Sequence, residues 1–333
     1  MTHDNHSTHR ARPAVGRSLA PSILATLAAA LLGACGGNHA AGALSGAPRA
    51  DVVDSAALLA DIGRLAHDSL RGRLSGTPEN VKARDFIAAR FDRLALGTVG
   101  AGRTRHFTFT RRRDSATVAA ANVIGVVRGT ESPERYIVVT AHFDHVGVGR
   151  PVGGDSIYNG ADDNASGAAA LLALAEHFSR EPARHSLLFV ALDAEEQGLQ
   201  GARAFVADPP VPREAMVLNV NMDMVSHSER GELYAAGASR YPRLRAPLER
   251  AARGAPVTLL LGHDTPEPTP RDDWTMQSDQ GAFHQAGIPF VYFGVEDHPD
   301  YHRPSDEVGT ITPGFYVGAV KTIARAIREL DRL

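Results

Sequence analysis

The chain has 333 residues, of which 43% are hydrophobic, and its formal net charge is −3. This length is sufficient for the core of one large domain or two small ones. A slightly acidic chain without a long basic stripe is not typical of a nucleic-acid-binding protein. The absence of a fixed-period repeat also argues against a solenoid or a propeller.

The first 34 residues have the features of a lipoprotein signal peptide. Three arginines precede an apolar stretch at 19–32, which is too short and too interrupted by proline to be a spanning helix. The residues that follow, Leu32-Gly33-Ala34-Cys35, resemble a bacterial lipobox, and Cys35 is the only cysteine in the sequence. We therefore predict residues 1–34 to be a cleaved signal and 35–50 to be a flexible tether.

These features predict an exported protein that is anchored to the membrane of the cell envelope through a lipidated Cys35. Gly36 follows the cysteine in place of the aspartate associated with retention in the inner membrane, so an outer-membrane or periplasmic-face location is expected. The alternative is an ordinary secretory signal with an unrelated cysteine, which would give a secreted protein.

Residues 51–333 are predicted to form a single α/β domain, because helical and strand patterns alternate along them without a linker. The predicted helices lie near 54–67, 77–96, 165–179 and 313–331. The predicted strands lie near 105–110, 120–128, 135–141, 186–192, 216–222, 231–236, 257–261 and 289–294. This pattern predicts a three-layer α/β/α sandwich with helices on both faces of a largely parallel sheet.

Histidines and carboxylates follow four of these strands, where ligands bind in open α/β sheets. The four segments are AHFDH at 141–145, DAEE at 193–196, MDM at 222–224 and EDHPDYH at 296–302, and an acidic turn, NGADDNASG, occupies 159–167. Carboxylates packed as closely as Asp193, Glu195 and Glu196 repel one another unless a positive charge lies among them. Imidazole and carboxylate donors together favour zinc, and two ions could share a bridging carboxylate.

The ordered segments AHFDHVG, NGADDNASG, AEEQGLQGA, NMDM and DYHRPSD resemble those of the co-catalytic di-zinc aminopeptidases, family twenty-eight of the metallopeptidases. The resemblance covers roughly residues 55–330. It implies the zinc exopeptidase fold, with a mixed sheet of about eight strands, and two zinc ions per chain. It also implies a cis peptide bond between Asp163 and Asn164.

The resemblance assigns one zinc to His142, Asp163 and Asp223, and the other to Glu196, His302 and the same Asp163. Glu195 would be the general base that acts on a zinc-bridging hydroxide. Asp144 would orient the imidazole of His142, and Tyr301 would help to hold the oxyanion.

Each of these residues also has a structural interpretation. His142 could bond to a backbone carbonyl, Asp163 could cap the following helix, and Tyr301 could be a packing residue. We predict structural or surface roles for His145, His263, His284 and His298, a loop role for Asp162, and for Asp306 a brace of the His302 loop. Asp279 matches a Ser-Asp-His segment of the family, in which Gln280 replaces the histidine.

The resulting prediction is a monomeric zinc aminopeptidase that removes N-terminal residues from peptides. A carboxypeptidase or dipeptidase for acidic substrates is an alternative, with Arg271 and Arg303 as candidates to bind the acidic group. A glutaminyl cyclase, which would be expected to use one zinc, and a non-catalytic receptor are two further alternatives. The complete set of five ligands and the base favours the aminopeptidase.

Overall fold

The computed structural model describes residues 53–100, 102–266 and 272–333. Ten strands are present in this part of the chain: β1 Thr104–Thr110, β2 Thr117–Val127, β3 Ser132–His142, β4 Gly147–Val152, β5 Asp155–Tyr158, β6 His185–Leu192, β7 Met216–Met222, β8 Glu232–Ala236, β9 Thr258–Leu261 and β10 Phe290–Gly294. Its α-helices are α1 Ser55–Leu65, α2 Pro78–Arg93, α3 Gly167–Arg180, α4 Gln200–Ala207, α5 Arg245–Ala252, α6 Gln280–Gln285 and α7 Pro313–Leu330.

Eight of these strands form one mixed sheet, in the order β1-β2-β6-β3-β7-β10-β8-β9. The four central strands, β6, β3, β7 and β10, run parallel to one another, whereas β1 and β2 add to one side as antiparallel strands. Strands β4 and β5 form a separate hairpin. The parallel centre brings the carboxyl ends of four strands to the same edge of the sheet, where a ligand site is expected.

The apolar residues of the central strands divide between two cores. In β6, Leu187 and Phe189 pack in the core that contains α1, α2, α3, α5 and α7, while Leu188 and Val190 pack in the core that contains α4 and α6. Successive side chains of a strand point to opposite faces, so an unbroken apolar run is the pattern of a strand covered on both sides. The predicted three-layer sandwich is confirmed.

Helix boundaries follow local chemistry. The carboxylate of Asp54 accepts hydrogen bonds from the amides of Ala56 and Ala57, both at 3.0 Å, and so caps α1. The hydroxyl of Thr77 accepts from the amide of Asn80 at 3.2 Å, and Pro78 occupies the first position of α2. Both helices were predicted within a few residues of their observed ends.

Several elements were not predicted. Helices α4, α5 and α6 have eight, eight and six residues, which is too short for a clear helical period. Nearly all of β4 is exposed, so it lacks the alternation that identifies a half-buried strand.

All of these elements belong to one compact unit that ends at Leu333. The predicted signal peptide at 1–34 and tether at 35–50 lie outside the described residues, so their boundaries stay predictions. Within the described ranges no helix is both long enough and apolar enough to cross a membrane.

Candidate metal centre

The predicted ligands come together at the carboxyl edge of the central strands. His142 is the last residue of β3, Asp223 follows the last residue of β7, and Glu196 follows β6. Asp163 lies in the turn before α3, and its peptide bond to Asn164 is cis, as predicted. His302 lies in the loop between β10 and α7.

The carboxylate of Asp163 faces two groups of donors. Its Oδ1 lies 3.4 Å from His142 Nε2, which is also 3.3 Å from Asp223 Oδ1. Its Oδ2 lies 3.0 Å from His302 Nε2, which is 3.4 Å from Glu196 Oε2. A carboxylate with one oxygen in each group is placed to bridge two cations.

His145 also lies at this centre, although the sequence indicated a structural or surface role for it. Its imidazole is fully buried, with Nδ1 at 2.7 Å from Glu196 Oε1 and 3.7 Å from Asp163 Oδ2. The second donor group therefore contains two imidazoles, those of His145 and His302. The signal that could have identified His145 is the second histidine of AHFDH, which directly follows β3.

The carboxylates make the imidazoles strongly basic. Burial disfavours the charged form of His142, but Asp223 and Glu195 outweigh it and raise the pKa well above the ordinary value. Burial opposes ionisation of His302 too, yet Asp163 and Glu196 raise its pKa to about 10. Because a metal must displace these protons, its affinity falls as the pH falls.

The donor set fits two zinc ions. Each group contains buried or half-buried imidazole nitrogens and carboxylate oxygens, the two donor types that zinc accepts besides thiolate. Burial and Asp163 favour the neutral form of Glu196, but His145 and His302 lower its pKa to about 2. This predicted ligand is therefore ionised at neutral pH.

Glu195 differs sharply from its neighbour Glu196. Burial raises the pKa of the Glu195 carboxyl well above its usual value, opposed by His142 but assisted by Asp279 and Asp223. A raised pKa means that the carboxylate takes up a proton more readily, which is the property that a general base needs. The side chain of Glu195 lines the same pocket as Asp163 and His302, which has a volume of about 440 Å³.

Asp144 acts mainly on the backbone of the two glutamates. Its carboxylate oxygens accept from the amides of Glu195 at 3.0 Å and Glu196 at 3.3 Å. The nearest contact to His142 Nδ1 is the Asp144 carbonyl oxygen at 3.2 Å, with the carboxylate at 3.6 Å. The predicted contact with His142 is thus made chiefly by the main chain, and the carboxylate positions the backbone of Glu195 and Glu196.

Two other acidic residues have roles that their contacts define. Asp193 is not among the residues that line the pocket, and its carboxylate accepts from Asn80 Nδ2 at 2.9 Å and from the amide of Ala121 at 3.1 Å. Asp306 accepts from the amides of Asp162 and Asp163 at 2.9 and 3.0 Å. Asp306 therefore braces the Asp163 turn against the loop that carries His302, as the sequence suggested.

Tyr301 is placed at the mouth of the pocket. Its ring stacks on the imidazole of His302, with centroids 4.0 Å apart and planes inclined by 23°. Burial and the carboxylates of Asp163 and Asp223 raise the pKa of the phenol above its ordinary value, so the hydroxyl keeps its proton. The hydroxyl is therefore available as a hydrogen-bond donor, while its predicted contact with an oxyanion stays a prediction.

Asp279 is a further buried carboxyl of the centre whose importance the sequence did not reveal. It is fully buried, and neither of its oxygens has a hydrogen-bond partner among the described residues. Burial raises its pKa to about 8, opposed by His142 and assisted by Asp144 and Asp223.

Fold and site together define an α/β protein with two groups of potential metal ligands at one edge of its sheet. The chain belongs to peptidase family M28, whose pattern matches residues 122–327, more than half of the sequence. Family membership and the two donor groups confirm the predicted zinc cofactor, and they are consistent with two ions per chain.

Individual relatives show how far this similarity extends. A probable zinc metalloprotease of Pyrenophora teres f. teres is 28% identical over 264 residues, 74% of this chain and 56% of the relative. A probable glutamate carboxypeptidase of Zea mays, VP8, is 30% identical over 229 residues, 63% of this chain and 29% of the relative. The matched part of the chain thus spans from 29% to 56% of the length of these curated relatives.

A solved structure with the same fold is that of BSAP, a zinc aminopeptidase from Bacillus subtilis. It is 17% identical, superimposes with a TM-score of 0.66, and the match covers 85% of this chain and 96% of BSAP. At this level of identity the likeness establishes the fold, which agrees with the zinc exopeptidase fold implied by the sequence.

The raised pKa of Asp279 leads us to expect that the free energy of unfolding depends on pH. The carboxyl has a pKa of about 8 in the folded chain against 3.8 as its ordinary value. Between these values only the folded chain holds the proton, so the free energy of unfolding falls as the pH rises, by up to ~1.4 kcal/mol per pH unit, and levels off above pH ~8. Asp279→Asn removes this contribution.

We therefore expect the stability of Asp279→Asn relative to the parent to increase between pH 5 and pH 8, measured by denaturant unfolding in the presence of a chelator. Asp85→Asn is the control, because the Asp85 side chain is 63% exposed, and its difference from the parent should not change with pH. Parallel pH profiles for Asp279→Asn and the parent would contradict the assignment.

Proposed function

We propose that the protein is a di-zinc exopeptidase that removes N-terminal residues from peptides. The observation that carries this proposal is the placement of the two Asp163 oxygens toward two donor groups, with Glu195 lining the same pocket. When bound, two zinc ions supply polarisation of the scissile carbonyl and of the attacking water. The remaining steps depend on side chains of the chain itself.

Glu195 is proposed to move the proton. Its carboxylate accepts a proton from the attacking water and delivers it to the amine that leaves when the peptide bond breaks. Asp144 holds the backbone of Glu195 in place through the 3.0 Å hydrogen bond to its amide. The Tyr301 hydroxyl donates a hydrogen bond to the oxyanion that forms on the former carbonyl oxygen.

The charge of the pocket supports action at a free N-terminus. Besides Glu195 and the ligands, Asp297 lines the pocket, so a protonated α-amino group would find carboxylates close to the reacting bond. Two observations favour this proposal over a non-catalytic protein. BSAP, which has the same fold, is a zinc aminopeptidase, and both donor groups are complete in this chain.

Replacement of Glu195 tests this mechanism. In Glu195→Gln we expect kcat on aminoacyl-p-nitroanilides to fall by about 10²–10⁴, the usual contribution of a general base. Two zinc ions per chain should remain, because Glu195 is not a predicted ligand. Zinc content by elemental analysis and initial rates on one preparation provide the measurement.

The matched control is Glu249→Gln, an exposed glutamate on α5 whose side chain is 52% accessible; this variant should retain full activity. A Glu195→Gln enzyme that keeps most of its activity with two zinc ions would refute the assigned base. A parent with two zinc ions and no action on any N-terminal substrate would refute the aminopeptidase itself.

A second candidate, an enzyme for substrates with a free carboxylate, is favoured by Arg112 and Arg203. Both arginines line the pocket that contains the donor groups. Across the described ranges, neither guanidinium has an ion-pair or hydrogen-bond partner. Arg303, proposed from the sequence, is exposed and is not among the residues that line this pocket, while Arg271 lies outside the described residues.

The binding of a substrate with a free carboxylate should therefore depend on these two arginines. In Arg112→Gln and Arg203→Gln we expect KM for a dipeptide to rise about tenfold, since a charge-assisted hydrogen bond contributes ~1.5–3 kcal/mol. KM for the corresponding aminoacyl-p-nitroanilide, which lacks the carboxylate, should not change. The control is Arg113→Gln, an exposed neighbour outside the pocket lining. Equal effects on both substrates would exclude this role.

Export and lipid anchoring remain a proposal that rests on the sequence at 1–50. The apolar stretch at 19–32 and the lipobox-like residues that end at Cys35 support it. We expect mass spectrometry of the protein from its native membranes to find an acylated Cys35 as the mature N-terminus. Cys35→Ser should release the chain from the membrane fraction. Any other mature N-terminus would exclude the lipoprotein assignment.

A further inference from the structure

We propose that His227, His298 and Asp300 form a third divalent-metal site, separate from the two-ion centre. His227 lies beyond the end of β7, while His298 and Asp300 lie in the loop between β10 and α7. One donor atom from each of the three residues lies within 4.8 Å of the other two. None of the three is a predicted ligand of the two-ion centre, so this inference does not rest on the proposed peptidase activity.

The two imidazoles are packed against each other at the floor of a pocket. Their ring centroids are 4.2 Å apart and their planes are inclined by 16°. His298 Nδ1 is 4.0 Å from Asp300 Oδ2. Because stacked rings direct their nitrogen lone pairs side by side, binding of one ion by both imidazoles and Asp300 requires one ring to rotate.

The hydrogen bonds of His298 indicate which nitrogen would bind a metal. Its Nε2 lies 3.1 Å from Asp162 Oδ2 and donates its proton to that oxygen. Asp162 is itself fixed, because its Oδ1 accepts from the amide and the hydroxyl of Ser226 at 2.7 and 2.8 Å. The arrangement leaves Nδ1 of His298 as the nitrogen with a free lone pair, as in the carboxylate–histidine–metal pattern.

That lone pair is buried and has no partner. The His298 side chain is only 6% exposed, and within the described ranges Nδ1 makes no hydrogen bond. Within the same ranges, Nδ1 of His227 is also a buried atom that makes no hydrogen bond. Buried polar atoms are nearly always satisfied in proteins. Two such nitrogens are unpaired here, and that of His298 lies 4.0 Å from Asp300 Oδ2, so we infer an ion as the missing partner.

The donors define the chemical class of the ion. Two nitrogen donors and one oxygen favour Zn²⁺ or Co²⁺ over Mg²⁺ or Ca²⁺, which prefer oxygen ligands. A pocket of about 370 Å³, lined in part by His227 and His298, leaves room for water as a further ligand.

An ion at this site would connect three segments that also hold the two-ion centre. Asp162, which orients His298, is adjacent to Asp163, while Asp300 is two residues from His302. His302 is the most exposed of the five predicted ligands, with 42% of its side chain accessible. The third ion would therefore restrain the loop that presents His302.

Counting ions per chain tests the proposal. The complete mature protein, loaded with Zn²⁺ at pH 7.5 and dialysed against low free zinc, should hold three ions by elemental mass spectrometry. His227→Gln and Asp300→Asn should each hold two. The control His106→Gln, which replaces an exposed histidine of β1, should hold three. Circular dichroism would establish that each variant is folded.

A second measurement uses Co²⁺ as a spectroscopic probe. Added to protein that already holds two Zn²⁺ ions, Co²⁺ should produce visible absorption bands in the parent and in His106→Gln but not in His227→Gln. A parent that holds only two ions, or folded His227→Gln and Asp300→Asn variants that still hold three, would overturn the proposal. Loss of more than one ion from both variants would overturn the separation of this site from the two-ion centre.

Discussion

The structure depends on how it stabilises a dense group of buried carboxylates at one edge of its sheet. Arg73 is the fully buried guanidinium nearest to them and donates to the carbonyl oxygens of Phe143 at 2.6 Å and Gly160 at 2.7 Å. Burial lowers its pKa to about 10, with Asp163 opposing, so it remains charged at neutral pH. Arg73 thus ties the end of β3 to the Asp163 turn, and it contributes a positive charge beneath the metal centre.

Other carboxylates act as a scaffold for the ligands. Asp144 accepts from two consecutive amides at Glu195 and Glu196, and Asp306 does the same for Asp162 and Asp163. Paired amide donors stabilise an ionised carboxylate without placing another charged side chain in the site. The acidic residues therefore form two sets: those whose side chains belong to the donor groups, and those that bind the backbone amides of the donor residues. Residues that are neighbours in the sequence can belong to different sets.

The sequence predicted the sheet well because the unbroken apolar runs of β3 and β6 are a strong local signal. It also predicted that the five candidate ligands would lie close together, because four of their segments follow parallel strands. The roles of His145, Asp144 and Asp279 could not be predicted in the same way. Each depends on which atom faces the centre after folding, as the 2.7 Å contact between His145 and Glu196 shows. Spacing along the chain contains no information on such contacts.

The loop between β10 and α7 presents two histidines to two adjacent aspartates. Its turns are held by backbone hydrogen bonds, from Tyr301 to His298 and from Arg303 to Asp300, each at 3.0 Å. The same few residues present His302 to Asp163 and His298 to Asp162. Because adjacent aspartates hold the two imidazoles, a shift of this loop must change both contacts together. The geometry of the second donor group is therefore linked to the packing of His298, outside the pocket in which substrate would bind.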